Sequence, residues 1–289
     1  MNEEDYLEIE HLSNDFLWPD NKRLAINFNV AFEMWTPGNY SSVNPMGNVL
    51  SSDIHDPNAD SYGRYNANSG CKRLLDIAEK EEVTASVFTS GLVAENYADE
   101  LRRRSEFGHE IIGHGYGQDV LFPYLNDQQA EDNISKSTQL IERATGERPY
   151  GWISPRITSD TEIQRKLSKH GYKWHGDLLD RDLPYLQKFS DSEILAIPVT
   201  IDFNDLPHAM RFGRTPEQFV QMFISMLDKL LANGKETLII DVMVHGHCYG
   251  RPAGAWAFAE IIKRCSQEKD LWLTTRGQIF DYVRPYFSK

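Results

Sequence analysis

Apolar runs of β type recur along this chain, and unusual polar residues stand directly behind them. Leu24–Val30 leads into Glu33, Glu110–Gly113 into His114 and Gly115, and Tyr150–Ile153 into Ser154, Pro155 and Arg156. Tyr172–Trp174 leads into His175, Gly176 and Asp177, and Leu238–Val244 into His245, Gly246 and His247. In parallel α/β proteins, ligands bind beyond the carboxyl ends of the strands. Acids, histidines and an arginine at the ends of successive runs therefore point to one shared site.

Further strands are expected at Val83–Thr89, Ile194–Val199 and Leu271–Leu273. Helical spacing, with Pro near starts and Gly at ends, predicts helices at Gly70–Lys80, Ala94–Arg104, Asn126–Thr145, Asp160–His170, Pro216–Asn233, Ala253–Gln267 and Arg276–Val283. This alternation predicts an α/β fold, a distorted (β/α)7-8 barrel forming a single catalytic domain over residues 24–289. A doubly wound open sheet fits less well, because no G-x-G-x-x-G turn follows any strand. Residues 1–23 read as an irregular N-terminal arm. Residues 34–68, rich in Asn, Ser, Pro, Gly and Asp, read as a long loop that serves as a lid or an interface.

With 289 residues, 40% of them hydrophobic, the chain can bury a sizeable core. The mean hydropathy is -0.51, and no apolar run approaches the ~18 residues of a membrane span. The acidic N-terminus lacks the apolar segment of a signal peptide, so a cytoplasmic protein is expected. A formal charge of -13 argues against nucleic acid or an anionic membrane as partner. Cys71, Cys248 and Cys265 lack metal-type spacing and read as reduced thiols.

Several motifs, taken in order, resemble those of the polysaccharide-deacetylase (NodB-homology) superfamily. They are Gly108–Tyr116, Thr145–Trp152 followed by Pro155 and Arg156, His175–Asp177 through Asp182–Tyr185, and His245 with Gly250–Pro252. The similarity runs from about residue 18 to 285, essentially the whole chain. It implies a distorted (β/α) barrel that hydrolyses C–N bonds. Metal-dependent members carry two aspartates behind the first strand, one a base and one a metal ligand, and later two histidines four apart. Here the first stretch, Asn27–Glu33, has no aspartate, with Ala31 among its residues. His114 is followed by Gln118 where the second histidine would stand. A glutamate placed as Glu33, and the Asn204–Pro207 pattern, resemble instead a metal-independent branch of bacterial allantoinases and cyclic-imide hydrolases. That branch implies no cofactor and a homo-oligomer, either a homotetramer or a homodimer.

The residues support the same chemistry. Amide hydrolysis needs a base for water, donors for the oxyanion and an acid for the leaving nitrogen. Glu33 can be the base if Phe32, Met34 and Trp35 raise its pKa. His114 and His245 can donate to the oxyanion or protonate nitrogen. Arg156 and Asn204 can hold a substrate's carbonyl and N–H edges, and Asp177 or Asp205 can orient a histidine or pair with Arg156. At least one of His245 and His247 should face the site. Their H-x-H spacing also keeps open a zinc site built from His114, His245 and His247. His109 reads as structural, Arg251 as a tether and Cys248 as a bystander. The expected function is opening of a small cyclic amide, imide or ureide. The alternatives are a metal-dependent saccharide N-deacetylase and a non-catalytic binding barrel.

Overall fold

The computed structural model describes residues 7–39, 50–51 and 54–287. The strands are β1 (Glu8–His11), β2 (Leu24–Phe32), β3 (Ser86–Thr89), β4 (Glu110–Gly113), β5 (Gly151–Trp152), β6 (Trp174–His175), β7 (Tyr185–Lys188), β8 (Glu193–Ala196), β9 (Phe203–Asn204), β10 (Leu238–His245) and β11 (Leu271–Thr274). The helices are α1 (Pro57–Tyr65), α2 (Cys71–Lys80), α3 (Gly91–Asn96), α4 (Ala98–Phe107), α5 (Asp127–Thr145), α6 (Thr161–Lys169), α7 (Pro216–Asn233), α8 (Pro252–Ser266) and α9 (Arg276–Val283).

The sheet is built around β2, every residue of which is buried. Leu24, Ile26, Phe28, Val30 and Phe32 alternate into the main core, with Leu74 and Leu75 of α2 and Phe258 and Ile261 of α8. The small or polar Ala25, Asn27, Asn29 and Ala31 fall on the opposite face by the two-residue period of a strand. Parallel ladders run in the order β8, β6, β5, β4, β3, β2, β10, β9. One edge of β2 is shared, its first half pairing β11 and its second half β3.

Backbone hydrogen bonds do not close this ring: among the described residues β8 and β9 share no ladder. Side chains span the gap. Arg276 donates from Nη1 to the Ile197 carbonyl just beyond β8, at 2.8 Å, and from Nη2 to Asp241 Oδ2 of β10, at 2.6 Å. Asp241 also accepts from the Thr200 N–H at 2.9 Å. Both members of this ion pair are fully buried. The result is a distorted barrel with helices outside it, as the alternation of elements predicts.

Three expectations need correction. The N-terminal arm is not wholly irregular: β1 pairs antiparallel with β7, which in turn pairs β8, and Phe16 and Trp18 are buried. The 34–68 segment is not all loop, because α1 lies within it. Asp56 caps that helix by accepting from the Asn58 and Ala59 N–H groups, and Pro57 occupies its first turn. The Asp, Pro and Asn content that suggests a loop is here the chemistry of a helix start. The helix expected over Ala94–Arg104 is two helices, α3 and α4, broken at Tyr97 with φ -131° and ψ 38°. Among the described residues no helix is long and apolar enough to cross a membrane.

Candidate active site

Glu33 is the first residue beyond β2 and is 1% exposed. Its Oε1 accepts from Gln118 Nε2 at 2.8 Å and faces His114 Nε2 at 3.2 Å. His114 lies directly beyond β4. Its Nδ1 is 2.6 Å from the Ile153 carbonyl, which can only accept, so Nδ1 carries a hydrogen and the ring orientation is set. His245 ends β10 and brings Nε2 to 3.9 Å from Glu33 Oε1. Its Nδ1 donates to Asp205 Oδ1 at 2.6 Å, while Asp205 Oδ2 accepts from the His245 and Tyr249 N–H groups. Glu33, His245 and Asp205 thus form a carboxylate–imidazole–carboxylate row.

The row sits in a cavity of about 720 Å³. Glu33, His114, Gln118, Arg156, Asn204, His245 and His247 line it, with Trp35, Phe88, Ile157, Leu179, Ile201 and Met210 among the apolar walls. Five strand ends therefore deliver functional side chains to one place: those of β2, β4, β5, β9 and β10. Asn204 Oδ1 accepts from the Leu206 N–H at 3.1 Å, and its Nδ2 lies against Met243 Sδ.

Neither Asp177 nor Asp205 lines the cavity. Asp177 is buried, and its oxygens accept from the Ser154 N–H at 2.6 Å, Ser154 Oγ at 2.7 Å and Ser159 Oγ at 2.6 Å. It braces the turn that carries Arg156. Asp205 likewise stands behind His245. Both aspartates act through a neighbour, because their oxygens are already occupied. The braced turn is unusual: Arg156 and Ile157 both adopt φ 55°. Each such left-handed non-glycine residue costs about 1–2 kcal/mol.

Asn66 was not foreseen, because it falls in the segment read as loop. It lies in a π-helical turn, Asn66–Gly70, between α1 and α2. Its Oδ1 accepts from the Glu33 N–H at 3.1 Å, and its Nδ2 donates to the Ala31 carbonyl at 3.0 Å and lies 3.1 Å from His247 Nδ1. The turn reaches this depth because its contacts are glycines. A β-carbon on Gly246 would meet the Asn66 carbonyl oxygen and Cys71 N at 2.8 Å. Tyr62 and Trp35 set their rings edge-on to His247. Arg251 stacks on Tyr62 and Tyr65, which ties α1 to the His247 loop. His109 accepts from the Ala85 N–H at 2.9 Å, away from the cavity.

The electrostatics reverse one expectation. Burial, the largest single influence on Glu33, pushes its carboxyl up. His245, the His114 hydrogen bond and His247 together outweigh it and bring the pKa down to about 2. Glu33 is therefore an anion held by imidazoles, where apolar neighbours alone would have made it a reluctant acid. Burial pulls His245 down, but Asp205 and Glu33 carry its pKa above the ordinary histidine value. Burial and the neighbouring His245 lower His247 to about 4, so it stays neutral. Burial and Asp205 push the Cys248 thiol far up, which leaves no thiolate nucleophile there.

Gln118 turns its N–H toward Glu33 rather than offering a lone pair to an ion. Among the described residues, no group of three or more His, Cys, Asp or Glu side chains is arranged to hold one.

A family model for polysaccharide deacetylases matches residues 60–175. The peptidoglycan deacetylase of Helicobacter pylori is 24% identical over 257 residues, covering 78% of this chain and 87% of that protein. The structure of PuuE allantoinase superposes with a TM-score of 0.82 at 23% identity, covering 94% of each chain. A "probable polysaccharide deacetylase" from Pseudomonas aeruginosa PAO1 also superposes with a TM-score of 0.82, at 24% identity, covering 94% of this chain and 95% of that one. The chain thus carries a polysaccharide-deacetylase match over residues 60–175 and shares its fold with these structures, which supports the polysaccharide-deacetylase (NodB-homology) superfamily.

Proposed function

We propose that this protein is a hydrolase of non-peptide carbon–nitrogen bonds that opens a small cyclic amide, imide or ureide without a metal. The observation that carries this reading is that Glu33 and His245 line the cavity together, with Asp205 hydrogen-bonded behind His245. Glu33 is ionised and its Oε2 meets no hydrogen-bond donor among the described residues, so it can take a proton from water. The resulting hydroxide adds to the ring carbonyl carbon. The neutral His247, whose Nδ1 faces the Asn66 amide, supplies its Nε2–H for the oxyanion, and Gln118 can add its second amide N–H. His245, protonated and backed by Asp205, gives its proton to the leaving nitrogen as the C–N bond breaks. One water is consumed, and the products are a carboxylic acid and a free N–H. Return of the Glu33 proton to His245 restores the resting state.

The expected substrate is a small molecule, not a nucleic acid or a membrane component. The reading keeps the cytoplasm as the compartment and a homo-oligomer as the assembly, which fractionation and sedimentation would measure. The deciding assay incubates purified enzyme with allantoin, hydantoin, succinimide and dihydrouracil, and follows ring opening before and after chelation. Turnover of at least one ring, unchanged by chelator, is expected. No turnover of any ring, with acetate released from N-acetylglucosamine oligomers only when zinc is present, would overturn it. That second outcome is the N-deacetylase reading, which the description of the Helicobacter pylori relative favours and the Gln118–Glu33 hydrogen bond opposes.

A further inference from the structure

The cavity is larger than a bare five-membered ring needs, and its walls are divided by chemistry. The floor carries Glu33, His114, Gln118, Asn204, His245 and His247. Above it stand Ile157, Leu179, Ile201 and Met210, of which Leu179, Ile201 and Met210 are large apolar residues left exposed at 56%, 40% and 37%. Exposed apolar surface gathered at a cavity mouth marks a binding surface. Two guanidiniums, Arg156 and Arg211, line the same cavity, while Glu33 is the one carboxylate among its described lining residues.

The backbone shows which of these residues matter most. Arg156 and Ile157 are consecutive, both held at φ 55°, and both line the cavity. Asp177 pins their turn through three hydrogen bonds, to the Ser154 N–H, Ser154 Oγ and Ser159 Oγ. Strain of this kind persists where surroundings impose it, and it gathers at ligand clamps. Here it presents a planar cation and a branched apolar side chain next to each other. A guanidinium matches a carboxylate through paired N–H donors, which a neutral ring does not require.

Building on the ring-opening reading, we infer that the Arg156–Ile157 turn selects substrates whose ring carries an apolar arm ending in a carboxylate. The arm lies along Ile157, Leu179 and Ile201, and the carboxylate meets Arg156, with Arg211 adding to the positive field. Asp177 is a positioning residue for this clamp.

The test compares hydantoin, 5-(4-carboxybenzyl)hydantoin and its neutral carboxamide on wild type, Arg156→Gln and Arg156→Lys, reading Kd by calorimetry and ring opening separately. The acid should bind at least about tenfold tighter than the carboxamide, and the carboxamide tighter than hydantoin. Arg156→Gln should erase the acid's advantage, and Arg156→Lys should retain part of it because it keeps the charge but loses the fork. Melting temperatures check that the variants fold. Equal binding of acid and carboxamide to wild type overturns the inference, as does an acid preference that survives Arg156→Gln. Acid-selective binding without any ring opening would support the clamp and count against the catalytic reading.

Discussion

Gln118 Nε2 donates to Glu33 Oε1 at 2.8 Å, and His114 Nε2 meets the same oxygen at 3.2 Å. One carboxylate oxygen is thus fully engaged from the loop beyond β4. The arrangement spends a neutral amide on holding the base, where a metal site would need another lone pair. Activity is therefore expected to be unaffected by prolonged treatment with a chelator and not to rise on adding zinc. Stoichiometric zinc in the purified protein, with activity lost on its removal and regained on its return, would refute this.

Glu33→Gln should lower kcat by about 10²–10⁴, the usual scale for a general base, with little change in melting temperature. The amide can still accept from Gln118 but cannot take a proton from water. Near wild-type turnover in this variant would remove Glu33 from the chemistry.

The pKa directions set the shape of the pH profile. Glu33, lowered to about 2, is ionised through the whole neutral and mildly acidic range. His245, raised by Asp205 and Glu33 against its burial, keeps its proton above the ordinary histidine range. Activity needs the base unprotonated and the acid protonated. The plateau should therefore extend into acid, and the alkaline limb should follow loss of the His245 proton. Asp205→Asn removes the carboxylate that raises His245, so the alkaline limb should move to lower pH. An alkaline limb that stays in place in Asp205→Asn would show that His245 is not the acid.

Much of this site was legible because strands announce themselves. Leu238–Val244 is apolar but for Asp241, so the place of His245 at its end follows from the fold class. The direction of the Glu33 shift was not legible. Its sequence neighbours are apolar, but the imidazoles that stabilise the anion come from positions 114, 245 and 247, and only folding brings them together. β7 and β9 were missed because short strands carry little periodic signal, and Tyr185–Lys188 mixes polar with apolar residues. The roles of Asp177 and Asp205 needed coordinates as well, since sequence cannot tell a carboxylate that faces the cavity from one that braces a neighbour.

The seam where no ladder joins β8 to β9 depends on Arg276, which reaches from just beyond β8 to β10. Its fully buried ion pair with Asp241 replaces the missing ladder, and Asn29 accepts from its Nε at 3.3 Å. Removing one partner of a buried pair strands the other charge, at a cost of about 3–5 kcal/mol. Arg276→Met should destabilise the fold by that amount in denaturant unfolding, while Arg276→Met with Asp241→Leu should recover part of it. A single variant as stable as wild type would mean that the seam is held by packing alone.

Asn66 links the base to the second histidine. Its side chain accepts from the Glu33 N–H and lies against His247 Nδ1, so one amide sets the backbone of the base and the tautomer of its neighbour. π-Helical turns such as the one that carries Asn66 are common at functional sites. Asn66→Ala should lower kcat by about tenfold or more, on the scale of one lost hydrogen bond to the reacting groups, with a smaller effect on KM. A purely structural loss would lower stability and nothing else, so the titration of His247 provides the discriminating readout. In wild type, donation from Asn66 occupies Nδ1, and burial together with His245 keeps the ring neutral down to about 4. Without that donor, Nδ1 is open to a second proton, and the His247 pKa should rise. The acid side of the rate profile would rise with it. Carbon-13 labelling of the histidine rings would follow this directly: an unchanged His247 titration together with unchanged kcat would reduce Asn66 to a packing residue.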